Sequence, residues 1–263
     1  MDLHLKGKVV LVTASSLGIG RSAAELFVQE GCMVAICART KDELVKTSEE
    51  IKKNYGVDAL WCVCDINSEK DIVNTIEVVN KNYGPIDILV NNCGGPISGP
   101  FETLSDENWL DAANQILLSA IRFSRRVLPH MKEKRWGRIV NITSISVKQP
   151  VENLMLSNSL RAAVVGFAKT LSNEVGKYNI TVNNVAPGYT LTNRLYELSV
   201  NKAKAVGESH EHVLAEMSKE VPLGRLGRPD EIGAAVVFLA SEPGGYITGN
   251  TIQVDGGLFR GVY

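Results

Sequence analysis

Short apolar runs alternate with stretches of helical periodicity along most of the chain. The runs lie at 9–12, 34–38, 59–64, 86–90, 138–142, 181–186 and 252–254. Runs of this length suit strands buried on both faces, as in a parallel sheet. The segments between them repeat their apolar residues at helical spacing. Residues 21–30, for example, place Ala23, Ala24, Phe27 and Val28 on one face. Such alternation predicts βαβ units with right-handed crossovers and one parallel sheet covered by helices on both faces. No internal repeat, low-complexity tract or Pro/Gly/Ser linker breaks it, which predicts a single α/β domain over 1–263. The one interruption is 190–224, polar and helical in character, before the helix that follows Pro229. An insertion there would lie at the C-terminal edge of the sheet, where open α/β folds bind ligands, and it reads as a lid or substrate loop.

The first apolar run leads into Thr13-Ala14-Ser15-Ser16-Leu17-Gly18-Ile19-Gly20 and then a helix. A strand, a Gly-rich turn and a helix N-terminus form a ready pyrophosphate site. Backbone N–H groups point at the anion, the helix dipole favours its charge, and glycine keeps side chains out of its path. The same arrangement can equally be a tight turn. The second strand ends Cys37-Ala38-Arg39-Thr40. A carboxylate at that tip would bind the ribose 2′-hydroxyl of NAD, whereas arginine suits the 2′-phosphate of NADP. No acid stands there, and Asp42 belongs to the next helix. Arg39 is therefore read as a phosphate ligand, with a solvated helix start as the alternative. Asp65 ends the third strand, where it could hold the adenine amino group. Asn91-Asn92-Cys93-Gly94-Gly95 ends the fourth, where amides and glycines can close over an adenosine or make a turn.

Charge and composition narrow the class. A formal net charge of −1 argues against nucleic acid or an anionic membrane as partner. The N-terminus lacks the apolar core of a signal peptide, and no apolar run approaches membrane-spanning length. Five cysteines, mostly on or beside buried strands, suggest reduced thiols and a cytoplasmic protein. Cys62 and Cys64 share one side of a strand without a second Cys/His pair, and His210-x-His212 lacks a third ligand, so no metal site is expected.

Taken together, these residues resemble the short-chain dehydrogenase/reductase family, close in layout to its 3-oxoacyl-ACP reductases. The resemblance covers nearly the whole chain and implies a Rossmann-type doubly wound sheet. Residues 13–20 resemble the family's Thr-Gly-x-x-x-Gly-x-Gly loop, with Ala14 in place of its first glycine. It implies that Thr13, Ser15, Ser16, Gly18, Ile19 and Gly20 surround the cofactor phosphates. Asp65 matches the adenine-binding aspartate, and Asn91 to Gly94 match Asn-Asn-Ala-Gly. Asn114 matches the helix asparagine that organises a proton-relay water. Pro187-Gly188-Tyr189-Thr190-Leu191-Thr192 matches the Pro-Gly loop over the nicotinamide, with Thr192 at the contacting threonine. Val254-Asp255-Gly256-Gly257 matches the last strand ending.

The catalytic stretch departs from that pattern. Ser144 stands at the catalytic serine position, but the family's Tyr-x-x-x-Lys is missing. The register set by 161–167 puts Ser157 at the tyrosine position and Arg161 at the lysine position, and no tyrosine in the chain has a lysine four residues later. A serine hydroxyl is far less acidic than a phenol and a poor general acid. A guanidinium can keep the positive charge and bind the nicotinamide ribose, but it cannot relay a proton. Tyr189 is a replacement donor, or a residue lining the pocket. His210 and His212 in the lid are weaker candidates, and His130 reads as structural.

The resemblance thus implies an NADP(H)-dependent oxidoreductase, NADP(H) favoured over NAD(H), acting on a carbonyl or secondary alcohol through an altered catalytic tetrad. A dinucleotide-binding sensor or structural subunit with little turnover is the alternative. Family practice also implies a homotetramer through helices at about 105–133 and 153–177. These carry Ile116, Leu117, Leu118 and Ile121, and Val164, Val165, Phe167 and Leu171. The lid mixes Leu195, Tyr196, Leu198, Val213, Leu214 and Met217 with charges, as a partly apolar small-molecule substrate would need.

Overall fold

A computed structural model describes residues 1–262. Its seven parallel strands are β1 (Val9–Val12), β2 (Met33–Ala38), β3 (Leu60–Val63), β4 (Ile88–Asn91), β5 (Gly137–Ile142), β6 (Ile180–Pro187) and β7 (Thr251–Val254). They form one sheet in the order β3-β2-β1-β4-β5-β6-β7. The chain winds outward from β1 to β3, returns, and winds the other way from β4. The order therefore reverses between β1 and β4, which is where open α/β sheets leave a crevice at their carboxyl ends.

The continuous apolar runs separate into two sets in the pleat, because successive side chains point to opposite faces. Val10, Val12, Ile36, Val90 and Val140 enter one core with α1 (Gly18–Gln29) and α9 (Pro229–Ala240). Val9, Leu11, Ala35, Leu89 and Ile139 enter the other with α3 (Glu69–Tyr83), α5 (Ser119–Lys134) and α6 (Met155–Val175). The expected α/β architecture, with helices on both faces, follows from that double burial. Helix α2 (Lys41–Tyr55) completes the first layer. Cys62 and Cys64 join the second core together, and all five cysteines are thiols. No helix among the described residues is long and apolar enough to cross a membrane.

The long helix expected over 105–133 is broken. Helix α4 (Asp106–Ala113) passes into a π-helical turn, Asn114–Leu118, before α5 begins. A π turn adds one residue to the helical repeat and rotates the helix downstream of it. The stretch 190–224 folds as α7 (Asn193–Val206) and α8 (His210–Glu220) around a small core of Leu195, Ala203, Val213, Met217 and Leu226.

A row of asparagines crosses the sheet just below its carboxyl edge. Asn91, Asn141, Asn184 and Thr251 are register partners on β4 to β7. Asn91 Nδ2 donates to Asn141 Oδ1 at 2.9 Å, Asn141 Nδ2 to Asn184 Oδ1 at 3.0 Å, and Asn184 Nδ2 to Thr251 Oγ1 at 3.1 Å. Buried amides of this kind are tolerated only when paired. Asn141→Ala would strand the side-chain carbonyl of Asn184 inside the sheet and leave the Asn91 amide only its longer bond to Ser124. It should lower the unfolding free energy by about 2–4 kcal/mol in denaturant titrations, without change in the far-UV spectrum of the folded protein.

Candidate active site

The loop after β1 is tied down on both sides. Toward β4, Thr13 Oγ1 donates to the Asn92 carbonyl at 2.6 Å and accepts from the Asn92 N–H at 2.8 Å, while Asn92 Nδ2 donates to the Ala14 carbonyl at 2.9 Å. Toward β2, Ser15 Oγ donates to the Val12 carbonyl and accepts from the Cys37 N–H. Thr47 Oγ1 on α2 donates to the Ser16 carbonyl, and Ser16 Oγ donates to Glu43. The hydroxyls of Thr13 and Ser15 are thus buried and spent on the scaffold. These two side chains hold the loop, which leaves its backbone and the glycines to meet a ligand.

Gly18, Ile19 and Gly20 remain to face the crevice, at the start of α1. No side chain caps this helix, whereas Ser68, Ser105, Thr192 and Ser209 cap α3, α4, α7 and α8. Helix α1 also has no acidic residue in its first turn to meet its dipole. Open N–H groups and an unopposed dipole are what a pyrophosphate requires. The cradle is tight: a Cβ at Gly20 would lie 2.6 Å from Asn92 Nδ2 and 2.8 Å from the Ala14 carbonyl. The residues present therefore fit a dinucleotide. At the adenosine end, Arg39 is exposed at the tip of β2 and forms no ion pair among the described residues. Asp65 stands two residues beyond β3, with Oδ1 accepting from the Asn67 N–H at 3.0 Å. Asn91 lines the cleft beside Asn92, Cys93, Thr143 and Arg161, while its Nδ2 donates across the sheet to Asn141 and Ser124.

At the other end, β5 delivers Ser144 and α6 delivers Ser157 and Arg161. Arg161 is buried, with Nε donating to Ser157 Oγ at 3.2 Å and one terminal nitrogen donating to the carbonyls of Ile142 and Thr143 at 3.0 and 3.1 Å. Its guanidinium thus grips the two residues before Ser144 and hydrogen-bonds Ser157. Ser144 Oγ accepts from the Ser146 N–H, and neither serine hydroxyl donates to an acceptor among the described residues. Both hydrogens remain available to a ligand oxygen.

Two expected members are elsewhere. The amide of Asn114 donates to the Asn67 carbonyl and accepts from Arg122, so the residue faces the loop after β3 rather than Ser144. Within the π turn that Asn114 opens, Gln115 reaches the Gly94 carbonyl at 3.2 Å, and Ile116 lines the cleft with Asn92, Cys93, Thr143 and Arg161. Tyr189 is also turned away. Its hydroxyl donates to Glu220, and burial, with the Glu220 charge, pushes its pKa up to about 12. It lines a separate cavity of about 110 Å³ with Leu223, Ile232 and Val254. The Pro-Gly loop itself stands over the crevice. Gly188 donates to the Val254 carbonyl, and Thr192 lies 3.5 Å from where a Gly18 Cβ would be. Arg194, which motif matching passes over, lies flat on Gly95 and donates to the Pro96 carbonyl at 2.7 Å. Burial pulls its pKa down, Glu197 opposes that, and the neighbouring Arg161 charge adds to it. His210 and His212 pair with Glu211 and Glu208 on the outside of the lid.

Comparison with known proteins agrees with this geometry. The family model described as Enoyl-(Acyl carrier protein) reductase matches residues 13–259. The 3-oxoacyl-[acyl-carrier-protein] reductase FabG of Vibrio harveyi is 37% identical over 257 residues, covering 98% of this chain and 99% of its own. Among solved structures, L-sorbose reductase from Gluconobacter frateurii, complexed with NADPH and L-sorbose, is similar with a TM-score of 0.94 at 33% identity over 100% of both chains. An NADPH-bound short chain oxidoreductase from Pseudomonas aeruginosa PAO1, described as containing an atypical catalytic center, has a TM-score of 0.88 at 28% identity. That match covers 97% of this chain and 98% of the other.

The loop carries one measurable strain. Ala14 has a φ of +45°, a left-handed conformation that costs a residue with a Cβ roughly 1–2 kcal/mol. Ala14→Gly removes that strain but adds freedom to the unfolded chain worth about 0.4–1 kcal/mol. The net effect should be a gain of about 0.5–1 kcal/mol, read as a midpoint about 1–4 °C higher in thermal unfolding.

Proposed function

This chain belongs to the short-chain dehydrogenase/reductase family, and we propose that it is an NADP(H)-dependent oxidoreductase acting on a carbonyl compound or secondary alcohol. Reduction of a 3-oxoacyl thioester is the nearest analogy. The observation that carries this reading is the uncapped glycine cradle of α1 packed on Asn92, which lines one cleft with Arg161, the partner of Ser157. The NADPH-complexed relatives support the choice of cofactor. Gly18, Ile19, Gly20 and the Ser16 backbone would hold its pyrophosphate, Arg39 its 2′-phosphate, and Asp65 its adenine. Gly94, Pro187, Gly188, Thr192 and Arg161 would surround its nicotinamide half. The bound cofactor supplies or accepts the hydride.

The chain's own residues position the reacting oxygen and stabilise charge on it. Ser144 and Ser157 each have a hydroxyl hydrogen to give a substrate oxygen, and the buried Arg161 guanidinium sets a positive charge behind Ser157. Proton transfer is the weak step, because neither serine is a good acid and a guanidinium does not relay a proton. A second reading, a dinucleotide-binding sensor or structural subunit with little turnover, is favoured by the one tyrosine of the Pro-Gly loop being turned to Glu220. A homotetramer fits the exposed Phe101, Leu110, Leu118 and Met155, which cluster on or beside α4 to α6. A cytoplasmic setting fits the five thiols.

Cofactor titrations by fluorescence or calorimetry test the first half. NADPH should bind about tenfold or more tightly than NADH, since a partly exposed arginine–phosphate contact contributes on the order of 1–3 kcal/mol. Arg39→Ala should close most of that gap. Equal affinities in the wild type would remove the NADP(H) assignment.

Turnover tests the second half. Simple ketones and 3-oxoacyl thioesters should be reduced slowly by protein already saturated with NADPH. The double change Ser157→Tyr with Arg161→Lys should raise that rate about tenfold or more, given the roughly 10²–10⁴ that general acid catalysis contributes. A wild-type rate that is already fast, together with a double variant that is no faster, would place the proton donor elsewhere.

A further inference from the structure

The end of the crevice where the 2′-phosphate of NADP would lie holds an acid as well as a base. Ser16 Oγ donates to Glu43 Oε2 at 3.1 Å, and Thr47 Oγ1, one turn further along α2, donates to the Ser16 carbonyl at 2.8 Å. One face of α2 thus holds Ser16 by both its hydroxyl and its carbonyl. Ser15 is paired with Cys37 through both backbone and side chain, which sets this loop against the last residues of β2. Arg39 lies two residues beyond Cys37, at the same strand end. Arg39 and Glu43 therefore border one site from two sides. They are not paired with each other, and Glu43 has no cation within ion-pair distance among the described residues.

Helix-dipole compensation does not by itself explain Glu43. Asp42 and Glu43 both stand in the first turn of α2, where negative charge is favourable. Asp42 is exposed and serves that role in solvent, whereas Glu43 is half-buried and turned onto the cofactor loop. A carboxylate there accepts a hydrogen bond from a ribose hydroxyl and repels a phosphate dianion. Arg39 does the reverse.

We propose that Glu43 limits the preference of this site for NADP(H) over NAD(H), by setting an unneutralised carboxylate on Ser16 against the 2′-phosphate that Arg39 attracts. The proposal rests on the dinucleotide reading above. It assigns Glu43 as a specificity-determining residue, and it makes the cofactor ratio a balance between two charges rather than the work of one arginine.

Glu43→Gln tests it, because the amide oxygen can still accept from Ser16 while the charge is lost. NADPH, NADH and, as probes of the adenosine half alone, adenosine 2′,5′-bisphosphate and 5′-AMP are titrated against wild-type and variant protein by calorimetry. NADPH and the bisphosphate should each bind about three- to tenfold more tightly to the variant, with NADH and 5′-AMP unchanged within about twofold. That gain should fade toward 1 M salt, where the screening length is about 3 Å. A bisphosphate affinity that does not move overturns the proposal. So does a parallel change in both cofactors that Glu43→Asp reverses, which would make the residue a tether of the loop. Failure of the wild type to bind any dinucleotide would instead overturn the cofactor assignment, so the two failures are distinguishable.

Discussion

The site depends on the three hydrogen bonds that tie the loop after β1 to the loop after β4. Thr13 and Asn92 exchange hydroxyl and backbone contacts, and Asn92 reaches the Ala14 carbonyl. These are the two strands between which the sheet reverses its order. Parallel strands there leave their carboxyl ends without a covering crossover, and without a tie the two loops would be independent. With it, the first turn of α1 is held at one distance from β4, and Gly20 becomes obligatory because the Asn92 amide occupies the volume of its missing side chain. The cofactor cradle is thus built by groups that do not themselves face the ligand.

This explains which parts of the site were legible in the sequence. The strands could be read because double burial makes them continuous apolar runs, and their alternation with helices follows. The glycines could be read because their reason is steric. What a motif does not carry is direction. Thr13 and Ser15 match a cofactor loop in position, yet point into the scaffold. The direction of Asn114 is decided by Asn67 and Arg122, partners distant in sequence or a full two turns on, and the π turn that brings Ile116 to the cleft leaves helical periodicity nearly unchanged. Tyr189 lies beside a matched Pro-Gly pair, but its orientation is decided by Glu220, thirty-one residues later. Glu43 gave no signal, since its effect arises only when α2 packs on the loop.

The pair Ser157 and Arg161 is chemically coherent as it stands. A lone buried cation would be costly. Arg161 avoids this by spending its donors on Ser157 and on the carbonyls that end β5, so that the charge also ties α6 to the sheet. The guanidinium at 161 thereby carries a share of the fold.

The stretch that holds α7 and α8 leaves and rejoins the sheet edge at a narrow neck, and Arg194 and Leu223 tie it to the Pro96 and Gly256 carbonyls as well. Thr190 pairs with Gly227 in an isolated bridge, Leu191 donates to the Gly227 carbonyl, and Gly227 donates to the Tyr189 carbonyl. Everything between those residues hangs from a closed neck. Loop-closure entropy grows only slowly with length once the ends are pinned, so helices can be added, removed or exchanged inside the neck at small cost to the sheet. In evolutionary terms the molecule is a chassis with a replaceable cassette, in which α7 and α8 can vary while the strands, the neck and the tied loops are inherited intact.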